Sequence, residues 1–143
     1  MNLLYANDTK GIYPDSWYAA TCETLAPRQA LRGDERTDVC VIGAGFTGLS
    51  TALHLAKAGY SVIVLDAQRI GFGASGRNGG QLGSGQRLKQ RDLRQMVGDE
   101  YARLLWELAE ESKATVVSLI KEHGICCALK PGIAHFGFYE KEM

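Results

Sequence analysis

Asp38-Val39-Cys40-Val41-Ile42-Gly43-Ala44-Gly45-Phe46-Thr47-Gly48 opens a stretch that closes on Tyr60-Ser61-Val62-Ile63-Val64-Leu65-Asp66. Three glycines in a GxGxxG spacing are a weak signal alone. Here they follow a short apolar strand, open a helix and precede a second apolar strand that ends in an acid, and that context makes the motif specific. Val39 to Ile42 form a continuous apolar run, as expected of a parallel strand covered on both faces. Gly43 permits the turn out of the strand, Gly45 leaves room for a diphosphate beside the backbone, and Gly48 lets the helix pack close to the strand. The helix expected from Phe46 to Ala58 aims unpaired N–H groups and the positive end of its dipole at that diphosphate. Leu49, Ala52, Leu53 and Ala56 recur at helical spacing and are expected to face the sheet. Gly59 stands where a left-handed C-cap is wanted.

Asp66 lies roughly twenty residues past the last glycine, where a carboxylate accepts hydrogen bonds from an adenosine ribose. Its charge would repel a 2′-phosphate, which argues against NADP. The whole pattern implies an α/β fold with a Rossmann-like βαβ unit that binds an adenine dinucleotide, rather than an ordinary glycine-rich turn. The next segment, Arg69-Ile70-Gly71-Phe72-Gly73-Ala74-Ser75-Gly76-Arg77-Asn78-Gly79-Gly80-Gln81, has too many glycines for a regular helix or strand. It combines bare backbone with a few fixed donors, which suits a loop wrapped around a ligand better than a flexible linker.

A length of 143 residues corresponds to one typical domain. Sixteen basic residues balance sixteen acidic ones, so nothing points to a nucleic-acid or acidic-membrane partner. No apolar run is long enough to span a membrane. The first residues do not read as a signal peptide, which makes the cytoplasm the expected location. None of the four cysteines forms a CxxC, and no metal site is expected. Cys40 reads as a small buried hydrophobe, and Cys126 and Cys127 as neighbours on opposite faces of a strand.

Residues 1–37 read as an irregular arm whose aromatic cluster, Tyr13, Pro14, Trp17 and Tyr18, packs onto the domain. Residues 86–97 and 99–123 read as helices separated at Gly98, with Asp99 as N-cap of the second. Leu104, Leu105, Leu108, Val116, Leu119 and Ile120 supply its expected buried stripe. Arg87, Lys89, Arg91 and Arg94 read as a solvated face rather than a phosphate site. Ile125–Lys130 and Ile133–Tyr139 read as two short strands about the Pro131-Gly132 turn, with Phe136 and Phe138 on one face and His135 on the other.

From Trp17 to about Tyr139 the chain resembles the N-terminal part of FAD-dependent amine and amino-acid oxidoreductases of the D-amino-acid oxidase superfamily, and within it the gamma-glutamylputrescine oxidoreductase branch. The residues that carry the likeness are Val41–Ser50, Ala52–Ala56 and, above all, Arg69–Gln81. Trp17-Tyr18-Ala19-Ala20 and Lys130-Pro131-Gly132 also fit. The resemblance implies FAD as cofactor, a small-molecule amine as substrate and three regions: the arm 1–37, the N-terminal part of an FAD-binding domain at 38–124, and the truncated start of a substrate domain, with an incomplete sheet, at 125–143.

By the same resemblance, the backbone at Gly43, Gly45, Phe46, Thr47 and Gly48 contacts the diphosphate. Asp66 holds the ribose, where the family often has Glu, and Ala67 and Arg69 lie beside the adenosine half. Gly73, Ala74, Ser75, Asn78, Gly79, Gly80 and Gln81 run along the diphosphate and ribityl chain. The family oxidises a C–N single bond by passing a hydride equivalent to flavin N5, so no catalytic acid–base pair or nucleophile is required of this chain and none is identified. Such enzymes run to several hundred residues, so the chain reads as a fragment that alone holds FAD weakly and turns nothing over. A gamma-glutamylated polyamine is the leading substrate. Glycine, sarcosine or a D-amino acid, and a non-catalytic nucleotide-binding module, are the alternatives. An NAD-dependent dehydrogenase is weakened by the loop after Asp66.

Overall fold

Val39–Ile42 forms strand β1, and Val62–Leu65 forms strand β2. They pair in parallel with Val39 opposite Val62 and Ile42 opposite Leu65. The computed structural model describes residues 8–133. Between the strands runs a helix, Phe46–Lys57, which is the second in chain order after a single short turn of helix, α1, at Trp17–Thr21. This α2 is the crossover that two parallel neighbours require. Its end is a Schellman motif: Tyr60 N–H donates to the Leu55 carbonyl at 3.1 Å, Gly59 N–H donates to the Ala56 carbonyl at 3.0 Å, and Gly59 takes φ +92°. The βαβ unit thus has the elements, order and C-cap read from its sequence.

A hydrogen-bonded clip holds the N-terminal ends of the two strands. Asp38 accepts from Ser61 N–H at 2.8 Å and from Ser61 Oγ at 2.7 Å, while Thr37 Oγ1 donates to the Ser61 carbonyl at 2.7 Å. The C-terminal ends are joined by Gly43 N–H donating to the Leu65 carbonyl at 2.7 Å.

Packing differs from the sequence reading in two ways. Along α2 the half-buried line runs Gly48, Ala52, Leu55, with Leu53 beside it, whereas Leu49 and Ala56 are exposed. The rotation follows from Gly48: a Cβ there would stand 3.3 Å from Val41 and far closer to the Gly43 carbonyl, so this position sits hardest against β1. Cys40, expected to be buried, is exposed, and Ile42 on the same face is 78% exposed. Successive strand residues face opposite ways. Helix α2 packs on the Val41 face, and no described element covers the other.

The chain divides into two compact units, Met1–Gly79 and Gly80–Met143. The second contains one long helical element, α3, Gln90–Glu122, broken by non-helical geometry at Gly98 (φ 84°, ψ 166°). The expected separation of two helices at Gly98 is therefore present, although the first begins at Gln90 rather than residue 86. Gly98 itself takes the non-helical junction that Asp99 was expected to hold. The Asp99 carboxylate instead accepts from Arg94 Nε at 2.6 Å, which lowers the Asp99 pKa and raises that of Arg94. Arg91 meets Asp92 at 3.2 Å, so Arg91 and Arg94 are both paired on an exposed face. Across the junction Gln90 Nε2 donates to the Ala102 carbonyl at 2.8 Å, and Leu93 and Ala102 are buried. Leu104, Leu108 and Val116 of the expected buried stripe remain exposed.

Gly124 ends α3 in a second Schellman motif, with Ile125 N–H donating to the Ile120 carbonyl at 2.9 Å. The strand expected at Ile125–Lys130 is not formed. Cys127 N–H folds back to the Ile125 carbonyl at 3.0 Å, and Ala128 takes φ +49°. Cys126 and Cys127 are therefore not on two faces of a strand, and both are exposed. Backbone curled in this way cannot present the regular ladder a partner strand needs. Gly132 has the positive φ, +91°, that a Pro-Gly turn demands. The second expected strand, with His135, Phe136 and Phe138, lies outside the described residues except for Ile133.

Candidate cofactor site

The loop between β1 and α2 is where the predicted site residues converge. Gly43 has φ +99°, a conformation that side chains rarely adopt, and turns the chain out of β1. Ala44, 3% exposed, follows. Its N–H donates to Asp66 Oδ2 at 2.7 Å, and Asp66 Oδ1 accepts from Gln68 N–H at 2.7 Å. The acid ending β2 thus reaches across to the glycine turn ending β1. Each carboxylate oxygen has two lone pairs, so Asp66 keeps acceptor capacity beyond these two bonds.

Gly45 is the N-cap of α2 and has no side chain to close the helix end. Phe46 N–H donates to Ser75 Oγ at 2.9 Å, while Thr47 and Gly48, next in the first turn, have no intrahelical acceptor for their N–H groups. A Cβ on Gly45 would stand 2.9 Å from Ser75 Oγ, and a Cβ on Gly48 would stand 1.9 Å from the Gly43 carbonyl oxygen. Gly45 therefore keeps open the space in front of the helix, and Gly48 permits the contact between helix and turn. The two glycines have different work, as their spacing implied.

The second glycine-rich segment lies against this loop at Gly71 and Ser75. Gly71 N–H donates to the Ala44 carbonyl at 2.8 Å, and Ala74–Gly76 form one turn of 3-10 helix. Asn78 Nδ2 closes that turn by donating to the carbonyls of Ala74 (3.0 Å) and Ser75 (2.9 Å). Gly73, Ala74 and Gly79 are exposed. Ala67 lines a cleft of about 300 Å³ with Asp8, Lys10 and Gln68. Gly80, with φ +67°, and exposed Gln81 belong to the second unit.

Arg69 is held by the arm: its guanidinium lies 4.3 Å from the centre of the Tyr13 ring and donates to the Leu25 carbonyl. Tyr13 of the aromatic cluster thus packs on the domain, while Trp17 is 76% exposed on α1, a helix within the arm expected to be irregular. Asp8, Gly11, Gln68 and Arg77, which no local pattern marks, join the arm to the loop over separations of 57 and 69 residues.

Among the described residues no helix is long and apolar enough to cross a membrane, and no group of three or more His, Cys, Asp or Glu side chains could hold a metal ion.

Comparison with known proteins gives the same direction as the geometry. The family model described as FAD dependent oxidoreductase matches residues 38–143. Gamma-glutamylputrescine oxidoreductase of Escherichia coli (strain K12) is 41% identical over 131 residues, 92% of this chain and 31% of that protein. The "Probable oxidoreductase OrdL" of Rhizobium meliloti is 42% identical over 117 residues, covering 82% of this chain and 27% of its own length. Its namesake in Haemophilus influenzae is 44% identical over 109 residues, with coverages of 76% and 25%. The chain therefore spans between a quarter and a third of these curated relatives. No solved structure matches it. With the family model covering everything from the head of β1 onward, the chain belongs to the FAD-dependent oxidoreductases.

Proposed function

We propose that this chain supplies the part of an amine oxidoreductase that grips the adenosine and diphosphate of FAD, and that the whole enzyme oxidises a gamma-glutamylated polyamine. The observation that carries the first half is the joint between Asp66 and Ala44 in front of the open end of α2. A ribose acid and a helix start sit side by side, with the space before Gly45 closed only by a serine hydroxyl. Ser75 Oγ stands in for an anion oxygen at the first free N–H, and a phosphate oxygen there makes stronger, charge-assisted bonds. Backbone at Gly43, Gly45, Phe46, Thr47 and Gly48 would bind the diphosphate, and Asp66 would accept from the ribose hydroxyls. Ala67 and Arg69 would flank the adenosine half. Gly73, Ala74, Ser75, Asn78, Gly79, Gly80 and Gln81 would follow the cofactor toward its flavin end.

When bound, FAD supplies the electron sink for removing hydride from a carbon beside an amine, chemistry that asks the protein for placement rather than for a nucleophile. The substrate half of the proposal is supported by the name and 41% identity of the Escherichia coli relative. Thermal shift of the chain with FAD, NAD and ADP tests the cofactor: FAD should give the largest shift, and a shift with NAD but none with FAD would reverse the assignment. Peroxide release by the full-length enzyme over a panel of gamma-glutamylated amines, glycine, sarcosine and D-amino acids tests the substrate.

A further inference from the structure

A segment with Gly71, Gly73 and Gly76 within six residues has wide conformational freedom of its own. Gly71 sits at φ +69°, and a Cβ on Gly76 would lie 2.3 Å from the Gly71 carbonyl oxygen, so the observed turn is one particular shape among many. Besides the bonds within the turn, it is held by partners from outside the segment. Gly11 N–H donates to Gln68 Oε1 at 2.7 Å, and Tyr13 Oη donates to the Ile70 carbonyl at 2.7 Å. Arg77 makes a two-pronged pair with Asp8 at 2.7 and 3.0 Å and donates from Nε to the Phe72 carbonyl at 2.8 Å. Asp8 is only 10% exposed in that pair. The hub is Phe72, 6% exposed, with the Tyr13 ring stacked 6.3 Å away and the Arg77 guanidinium 4.7 Å from its centre. The neighbouring Gly71 N–H is the one that holds the Ala44 carbonyl.

We propose that the arm from Asp8 to Tyr13 is a latch that sets the Gly71–Arg77 turn in its cofactor-binding shape before the cofactor arrives, with Tyr13 and Arg77 as positioning residues. The inference rests on the FAD reading above and adds to it a role for residues of the arm, which hold the turn from outside it. Apparent affinity scales with the fraction of molecules already in the competent shape. A loosened latch should therefore weaken binding with no residue of the diphosphate loop substituted.

Amide hydrogen exchange and flavin titration of the 143-residue chain, as wild type, Asp8→Asn and Tyr13→Phe, test this. Both variants should speed exchange over residues 71–77 while exchange over α2 stays as in wild type, and the FAD dissociation constant should rise by about fivefold in each. Equal acceleration in α2 would mean general loosening and would overturn the latch. So would unchanged exchange over 71–77, whatever happens to flavin affinity. Faster exchange with wild-type affinity would overturn its link to the cofactor. A wild-type chain that shows no FAD response at all would instead sink the cofactor reading, and the proposal as stated with it; the exchange data alone would still report whether the arm orders the turn.

Discussion

Gly45 and Gly48, three residues apart, show how much one methyl group decides. At Gly48 an added Cβ meets backbone, the Gly43 carbonyl, at 1.9 Å, and a carbonyl at the mouth of a strand cannot swing aside. Gly48→Ala must push α2 off β1, and forced overpacking of this kind typically costs about 1–3 kcal/mol. At Gly45 the obstacle is the Ser75 hydroxyl at 2.9 Å, which can rotate away. Gly45→Ala should then leave stability within about 0.5 kcal/mol of wild type, as for most tolerated changes, while filling the space a diphosphate needs. Urea denaturation paired with flavin titration separates the two: Gly48→Ala loses stability and binding together, Gly45→Ala loses binding alone. A Gly45→Ala chain with wild-type flavin affinity would count against the diphosphate placement. The packing role of Gly48 could be read from the spacing, because a glycine's duty follows from its place relative to a strand end and a helix start. The bond from Ser75 to Phe46 could not, since nothing local ties residues 29 apart.

Strand pairing in the βαβ unit is secured at its open end by Asp38, and that clip is titratable. Hydrogen bonds from the Ser61 hydroxyl, then from the Ser61 backbone N–H, hold the Asp38 carboxyl below its ordinary pKa. A depressed carboxylate stabilises the folded chain fully above its unfolded value of about 3.9 and loses that contribution as pH falls through the lower folded value. The wild type should therefore lose stability more steeply below about pH 4 than Asp38→Asn, with the two curves separated at pH 6 and drawing together as pH falls. Circular dichroism melts across that range give the measurement, and parallel curves would show that the clip carries no charge-dependent part. The unit itself was legible because every signal in it agrees: apolar run, glycines, helical period, C-cap glycine, second apolar run. The strand expected at Ile125–Lys130 is absent for the opposite reason. Ile125–Lys130 has the composition of a strand, but a strand exists only with a partner, and composition does not say whether one is there. Gly98 stood between these cases, visible as a break, yet itself taking the junction geometry assigned to Asp99.

Only Ala44, Phe72, Leu93 and Ala102 are buried apolar residues among those described, and no large side chain is fully buried. Ile42, Phe46 and Trp17 are each more than two-thirds exposed. Burying a large apolar side chain contributes about 1.5–3 kcal/mol, whereas fixing one residue's backbone opposes folding by about 1–2 kcal/mol. Sequence periodicity identifies which side chains are apolar but not what covers them, which is why the stripe at Leu104, Leu108 and Val116 reads as core and lies open. The buried residues also divide between the two units, Ala44 and Phe72 in one, Leu93 and Ala102 in the other. With buried residues of its own, each unit should lose structure on its own, at different free energies. FAD then has an uneven effect. A ligand that binds only the folded form at one hundred times its dissociation constant adds about 2.7 kcal/mol, and adds it to whatever must be folded to bind. Both anchors of the proposed site, Asp66 on Ala44 and Ser75 on Phe46, lie before Gly79, while the second unit contributes only Gly80 and Gln81. Saturating FAD should therefore slow amide exchange strongly in β1, α2 and β2 and leave α3 nearly unchanged. Uniform slowing along the whole chain would mean that the two units fold as one, and that the cofactor's grip extends well beyond the residues assigned to it.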